Sequence, residues 1–141
     1  MNAHWRLGGP IAENLILHGT AGGAFLMAFG GDRPQDSYAY FISYHFCPGL
    51  TWYFMPANMF LTAYAGINQA KPQIEGAYEG DSSKMYTLWG VRAGAEFGKE
   101  WWVSDNLGMG VVLSAWYANG FGDGRQIHTL ATSIGMSITH P

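Results

Sequence analysis

Trp101-Trp102-Val103-Ser104-Asp105-Asn106-Leu107 is the stretch on which the reading of this chain turns, because two earlier pieces are built like it. Gly9-Pro10-Ile11-Ala12-Glu13-Asn14-Leu15 and Tyr53-Phe54-Met55-Pro56-Ala57-Asn58-Met59 also close a short turn on Asn and continue with an apolar residue. The three asparagines lie 44 and then 48 residues apart. A recurrence of that length marks one supersecondary unit used repeatedly, and the segments between the turns say which unit.

Downstream of the motif, Leu107, Met109, Val111, Leu113, Ala115 and Tyr117 alternate with Gly108, Gly110, Val112, Ser114, Trp116 and Ala118. The last segment repeats the arrangement: Leu130, Ile134, Met136 and Ile138 are large, while Thr129, Ala131, Ser133, Gly135, Ser137 and Thr139 are small; Thr132 breaks the large face. A period of two with one face apolar is the pattern of a strand in a wall. Upstream, Trp89, Val91, Ala93, Ala95 and Phe97 share one face, and Arg92 and Glu96 share the other. Segments 38–54 and 59–68 alternate as well, 15–25 more weakly, and 3–8 can form a strand with Trp5 and Leu7 outward, which makes seven strands.

Which face meets water follows from the charges. Only 12% of residues are Asp, Glu, Lys or Arg, about half the roughly 25% of soluble domains, and aromatics reach 16% with 20 glycines. Arg92 and Glu96 lie on the face of small residues, so the large apolar face looks toward lipid and the small face lines a lumen, where charges can pair. Segment 37–70 lacks any Asp, Glu, Lys or Arg and is long enough for a membrane helix, yet Pro48-Gly49 and Pro56 interrupt it and Tyr, Phe, Trp and Ile dominate it, so it reads as two strands and a turn.

The connections alternate between the three short turns at Asn14, Asn58 and Asn106 and longer polar segments at 27–36, 69–85 and 120–125, as in outer-membrane barrels. Aromatics crowd the short-turn rim: Trp52, Tyr53 and Phe54 before one turn, Trp101 and Trp102 before another. Together with Trp5 they form the expected girdle at headgroup level.

These pieces, above all Gly98-Lys99-Glu100-Trp101-Trp102-Val103-Ser104-Asp105-Asn106, resemble a family of small, largely uncharacterised outer-membrane β-barrel proteins of Gram-negative bacteria, similar in architecture to the OmpA and OmpX barrels. The resemblance implies an eight-stranded barrel with short periplasmic turns and carries no catalytic residues. Such chains have a further strand before the segment at Ala3 and commonly end in an aromatic residue; this one ends Thr139-His140-Pro141. Residues 1–141 are therefore read as one barrel domain without its first strand. No secretory signal stands at residues 1–6, so residence in an outer membrane implies a processed or truncated chain.

The inward face supplies the candidate chemistry: His18, His45, Tyr64, Asn68, Arg92 and Glu96 form the expected polar network. His18 and His45 could bind a metal or shuttle protons, but no carboxylate or third His stands near them at ligand spacing, and hydrogen-bonded lumen residues are the expectation. Arg92 and Glu96 are two inward steps apart, about 13 Å, and are expected to pair with neighbouring strands rather than with each other. His128 with Ser133 or Ser137 invites comparison with lipid-modifying barrels, but an even and an odd position face opposite sides of one strand. Gly108 and Gly110 lie within a strand with no helix after them, so no phosphate loop is read there. Cys47, the one cysteine, faces inward and excludes an internal disulfide or cysteine metal site. Lys99 is expected to snorkel from the aromatic rim. A net charge of −3 and a pI near 5.9 give no nucleic-acid footprint.

The expectation is an all-β, antiparallel, up-and-down transmembrane barrel of eight strands when closed, too narrow for a wide pore. It has no cofactor or metal and no catalysis, its neighbours are outer-membrane lipid and protein partners, and Glu75, Glu79 and Asp81 are the foremost loop contact. The competing readings are a lipid-modifying outer-membrane enzyme and a soluble lipocalin-like ligand-binding barrel; the latter would need polar residues on the face that carries Leu107, Met109, Val111 and Leu113.

Overall fold

The computed structural model describes residues 2–29, 38–75, 87–122 and 124–140. They form seven strands: β1 (Asn2–Ala12), β2 (Leu15–Phe29), β3 (Tyr38–Phe54), β4 (Met59–Glu75), β5 (Leu88–Ser104), β6 (Leu107–Gly122) and β7 (Arg125–Thr139), with a 3-10 turn, Met55–Ala57, between β3 and β4. All pair antiparallel in one sheet in the order β1-β2-β3-β4-β5-β6-β7, so the chain is an up-and-down meander that leaves β1 and β7 as edges. The sheet is not closed.

Alternation does what the sequence predicts. Along β5 and β6 buried and exposed residues exchange at nearly every step: Leu113 is 54% exposed and its neighbour Ser114 is 5%. Among the described residues no second layer covers the buried face. It is buried because the sheet curls on itself, so that Ala24 on β2 packs with Trp116 and Ala118 on β6, flanked by Leu26 and Ala131. The glycines serve this packing. A Cβ on Gly94 or Gly98 would run into the rings of Tyr64 and Phe60 respectively, so inward glycines on β5 seat the large inward rings of β4.

The repeated turn motif closes the hairpins β1–β2, β3–β4 and β5–β6. In two of them the Asn adopts the left-handed conformation, Asn14 at φ 61° and Asn58 at φ 50°, where Asn is among the few side chains tolerated. Asn106 has no positive φ, so the third turn shares the sequence and not the backbone solution. Each of the first two turns is tied to the next hairpin, through Tyr53 N donating to Asn14 O and Glu100 N donating to Asn58 O, both at 2.8 Å. Replacing Asn58 by Ala is expected to cost about 1 kcal/mol, and by Gly nothing, as read from urea unfolding midpoints.

Strands run further than the alternation suggests. β4 continues to Glu75 and β6 to Gly122, so segments 69–75 and 120–122, read as loop, are ladder. Gln69 and Lys71 take outward positions there, and the polar outward face hid a main-chain pairing that extends to Tyr38↔Glu75.

Candidate functional site: the interior network and the open seam

All six expected network residues lie on the buried face: Arg92 is fully buried, and His18, His45, Tyr64, Asn68 and Glu96 nearly so. They divide into two groups. On the side of the long connections, His45 pairs in register with Asn68, and the Arg92 guanidinium lies 3.9 Å from the centre of the Trp116 ring, a cation–π contact strengthened by desolvation. Asn68 donates to Asn119 O at 3.5 Å, while both ring nitrogens of His45 lack a hydrogen-bond partner.

Toward the short-turn rim the network is denser. One register level carries Thr51, Thr62, Glu96, Ser114 and Ser133 on five successive strands. Thr51 and Thr62 hydroxyls meet at 2.8 Å, those of Ser114 and Ser133 at 2.7 Å. His18 Nε2 shares a hydrogen bond with Thr51 at 3.0 Å and its Nδ1 one with Thr20 at 3.1 Å. Glu96 sits at the centre of that level and reaches across the interior to β1, where Arg6 donates to its Oε2 and His4 Nε2 lies 3.6 Å from its Oε1. One inward position further along β5's lower half, beyond Gly98, Glu100 accepts from the Thr139 hydroxyl of β7 at 2.6 Å. The two carboxylates of β5 thus hold the two free edges of the sheet, one each.

His4, Arg6 and Glu100 were not among the expected network residues. The signal was available: His4 and Arg6 alternate with outward Trp5 and Leu7, and Glu100 follows outward Lys99. Arg92 and Glu96 do not pair with each other, as expected, but the partner of Glu96 comes from across the interior rather than from an adjacent strand.

At the rim, Trp52, Phe54 and Trp101 project outward and are about half exposed, with Trp52 and Phe54 stacked at 5.2 Å. Lys99 Nζ donates to Ala57 O at 2.6 Å and lies 5.8 Å from the Trp101 ring. Three expected girdle members stand elsewhere. Trp102 has the parity of Glu100, pairs with inward Gly108 and lays its ring over that glycine. Tyr53 has the parity of Thr51, faces inward and packs on Phe60 at 5.8 Å. Trp5 pairs with Ala21, well up the strand from the Asn14 turn, and projects from the free edge at 78% exposure. Glu75 is the last residue of β4; Glu79 and Asp81 lie outside the described residues. His128 is outward, with Tyr117 Oη at 2.6 Å from its Nδ1 and Gln126 Nε2 at 2.7 Å from its Nε2, on the opposite face from Ser133 and Ser137. Among the described residues no cluster of His, Cys, Asp and Glu could hold a metal.

Between β1 and β7 the interior opens outward through a cavity of about 310 Å³ whose walls include Trp5, Arg6, His18, Tyr53, Glu100 and Ile138. The class this defines is a seven-stranded antiparallel sheet, curled around a polar interior, coated with apolar side chains and open along one seam. No protein-family model matches the chain, and neither does any curated protein.

Proposed function

We propose that this chain is the wall of an integral outer-membrane β-barrel, eight-stranded when closed, with a structural or binding role: to present its long connections at the cell surface or to act as a membrane-embedded subunit of a larger assembly. The observation that carries the reading is the coat. Leu17, Phe46, Leu50, Leu61, Ile67, Trp89, Val91, Phe97, Val111, Leu113, Ile134 and Met136 are all exposed, across six strands, while Arg92, Glu96 and Glu100 are buried. A soluble domain places these residue types the other way round, and a contiguous apolar surface of this extent needs a nonpolar surrounding. No helix among the described residues is long and apolar enough to cross a membrane; the strands supply the other architecture that can.

The dimensions agree. On β6 the outward series Leu107 to Tyr117 covers about 34 Å of strand, and the roughly 40° tilt usual in barrels brings that to about 26 Å, close to the ~25 Å apolar band of outer-membrane barrels. Polar outward groups bound it: Lys71, Gln126 and His128 toward the long connections, Lys99 and the tryptophans toward the turns. The eighth strand follows from backbone accounting. Free edges on β1 and β7 expose on the order of two dozen N–H and C=O groups, each costing several kcal/mol if left unpaired in hydrocarbon. β1 and β7 run in the same direction, so one intervening strand antiparallel to both completes the ladder. With so narrow an interior filled by side chains, a wide pore is not part of the proposal, and neither is catalysis.

The membrane reading is tested by flotation with phospholipid vesicles and by heat-modifiable mobility on gels. The chain is expected to float, to resist alkaline extraction and to migrate faster unheated than heated. Recovery as a monomer from detergent-free buffer would favour the soluble ligand-binding barrel instead. The loop role is tested separately: deletion of residues 76–86 should release co-purifying partners.

A further inference from the structure

The seam cavity is polar inside and apolar at its mouth, and its polar groups are not balanced. Of its lining residues, four keep a buried atom without a hydrogen-bond partner: Arg6 Nε, Glu96 Oε1, Glu100 Oε2 and Ser137 Oγ. Glu96 and Glu100 are only 2% and 3% exposed. Arg6 pairs with Glu96, whereas Glu100 has a neutral hydroxyl, that of Thr139. Apart from histidines, the described lining residues include one cationic side chain, Arg6, and two carboxylates, Glu96 and Glu100. A buried carboxylate is retained where a cation meets it, and among the described residues none is paired with Glu100.

Space for that cation lies on the β7 side. Every inward residue from Thr129 to Thr139 is small, namely Thr129, Ala131, Ser133, Gly135, Ser137 and Thr139, and small inward positions on one barrel strand leave volume for large ones on the next. Among the described large apolar residues, those facing outward beside the seam are the barest: Trp5 and Leu7 at 78% and 87%, Ile134, Met136 and Ile138 at 79%, 75% and 71%.

We propose that the seam takes one amphipathic β-strand, antiparallel to β1 and β7 and contributed by a polypeptide segment outside residues 1–141, which turns a lysine or arginine inward at the level of Glu100. This rests on the membrane-barrel reading and goes beyond closure to the chemistry of the closing strand. The strand runs from the short-turn rim toward the long connections, because β1 and β7 both run toward the short turns. It therefore places its cation in its first part, on the rim side of the Arg6–Glu96 pair, and sets apolar residues outward against Trp5, Leu7, Met136 and Ile138. A lipid ammonium group could meet Glu100 through the same opening, but it would leave the N–H and C=O groups of both edges unpaired, so a strand is the favoured occupant.

The test folds the 141-residue chain into phosphatidylcholine vesicles with synthetic strands of roughly ten residues, apolar at alternate positions, carrying Lys, norleucine or Glu at the inward position level with Glu100. Folded fraction is read from heat-modifiable mobility, and binding from quenching of Trp5 by a dye on the peptide. The Lys strand is expected to bind about tenfold or more tightly than the norleucine strand, the Glu strand weakest, and Glu100→Gln, which still accepts from Thr139, to remove the preference; Glu100→Lys should reverse it. Equal binding by all three strands would overturn the charge proposal while leaving closure by a strand intact. Binding by none would overturn both. Full folding without peptide in phosphatidylethanolamine vesicles, but not in phosphatidylcholine, would assign Glu100 to a lipid amine, and a cross-linked dimer without peptide would assign the seam to a second copy; either overturns the proposal.

Discussion

Leu113→Arg is expected to destabilise the folded chain in vesicles by about 2–4 kcal/mol, and Leu107→Arg by at most about 1 kcal/mol. Leu113 is 54% exposed, near the middle of the apolar band, and pairs in register with Phe97 on β5 and Ile134 on β7, both also outward. Leu107 begins β6 beside the turn, where an arginine can extend its guanidinium to the headgroups. In water, a half-exposed leucine exchanged for arginine changes stability by no more than about 0.5 kcal/mol at either position. The depth dependence therefore distinguishes lipid from water as the solvent of the coat. Urea unfolding followed by tryptophan fluorescence measures it, and equal, small effects at both positions would end the membrane reading.

The sequence was most legible where one physical rule acts alone. Alternation assigned the faces of β3 to β7 because each step of a strand turns the side chain over, so Leu113 and Ser114 were separated without knowledge of the partner strands. It was less legible where two rules compete. Tyr53 stands in an aromatic cluster, which suggested a rim anchor, but its parity with Thr51 turns it inward onto Phe60. Trp5 was grouped with the girdle by residue type, although its height along the wall is set by pairing with Ala21. Strand ends were underestimated at Gln69 and Lys71 because hydrogen bonding continues after the outward face turns polar. The contacts of Glu96 and Glu100 with opposite edges were not legible at all. They arise from the curl of the whole sheet, which brings β5 across from β1 and β7, and no spacing within one strand encodes that approach.

Those two contacts set the second large effect. Glu96→Leu is expected to cost about 3–5 kcal/mol, because it leaves the Arg6 guanidinium, whose side chain is only 24% exposed, without its carboxylate. Arg6→Met in the same chain should recover most of the loss, since a buried pair replaced by apolar groups of similar volume is often neutral or stabilising. Measured as a double-mutant cycle in vesicles, the coupling between positions 6 and 96 should exceed that between Leu113 and position 96, which lie on opposite faces. There is also a mechanical consequence. Arg6 joins the edge strand β1 to the far side of the interior, whereas its main-chain pairing reaches β2 alone. Glu96→Leu should therefore loosen β1 more than the rest of the sheet, giving a larger rise in amide exchange at residues 2–8 than in the interior strands β3 and β4. Uniform loss of protection across all seven strands would mean that the pair supports the wall as a whole and does not pin its open edge.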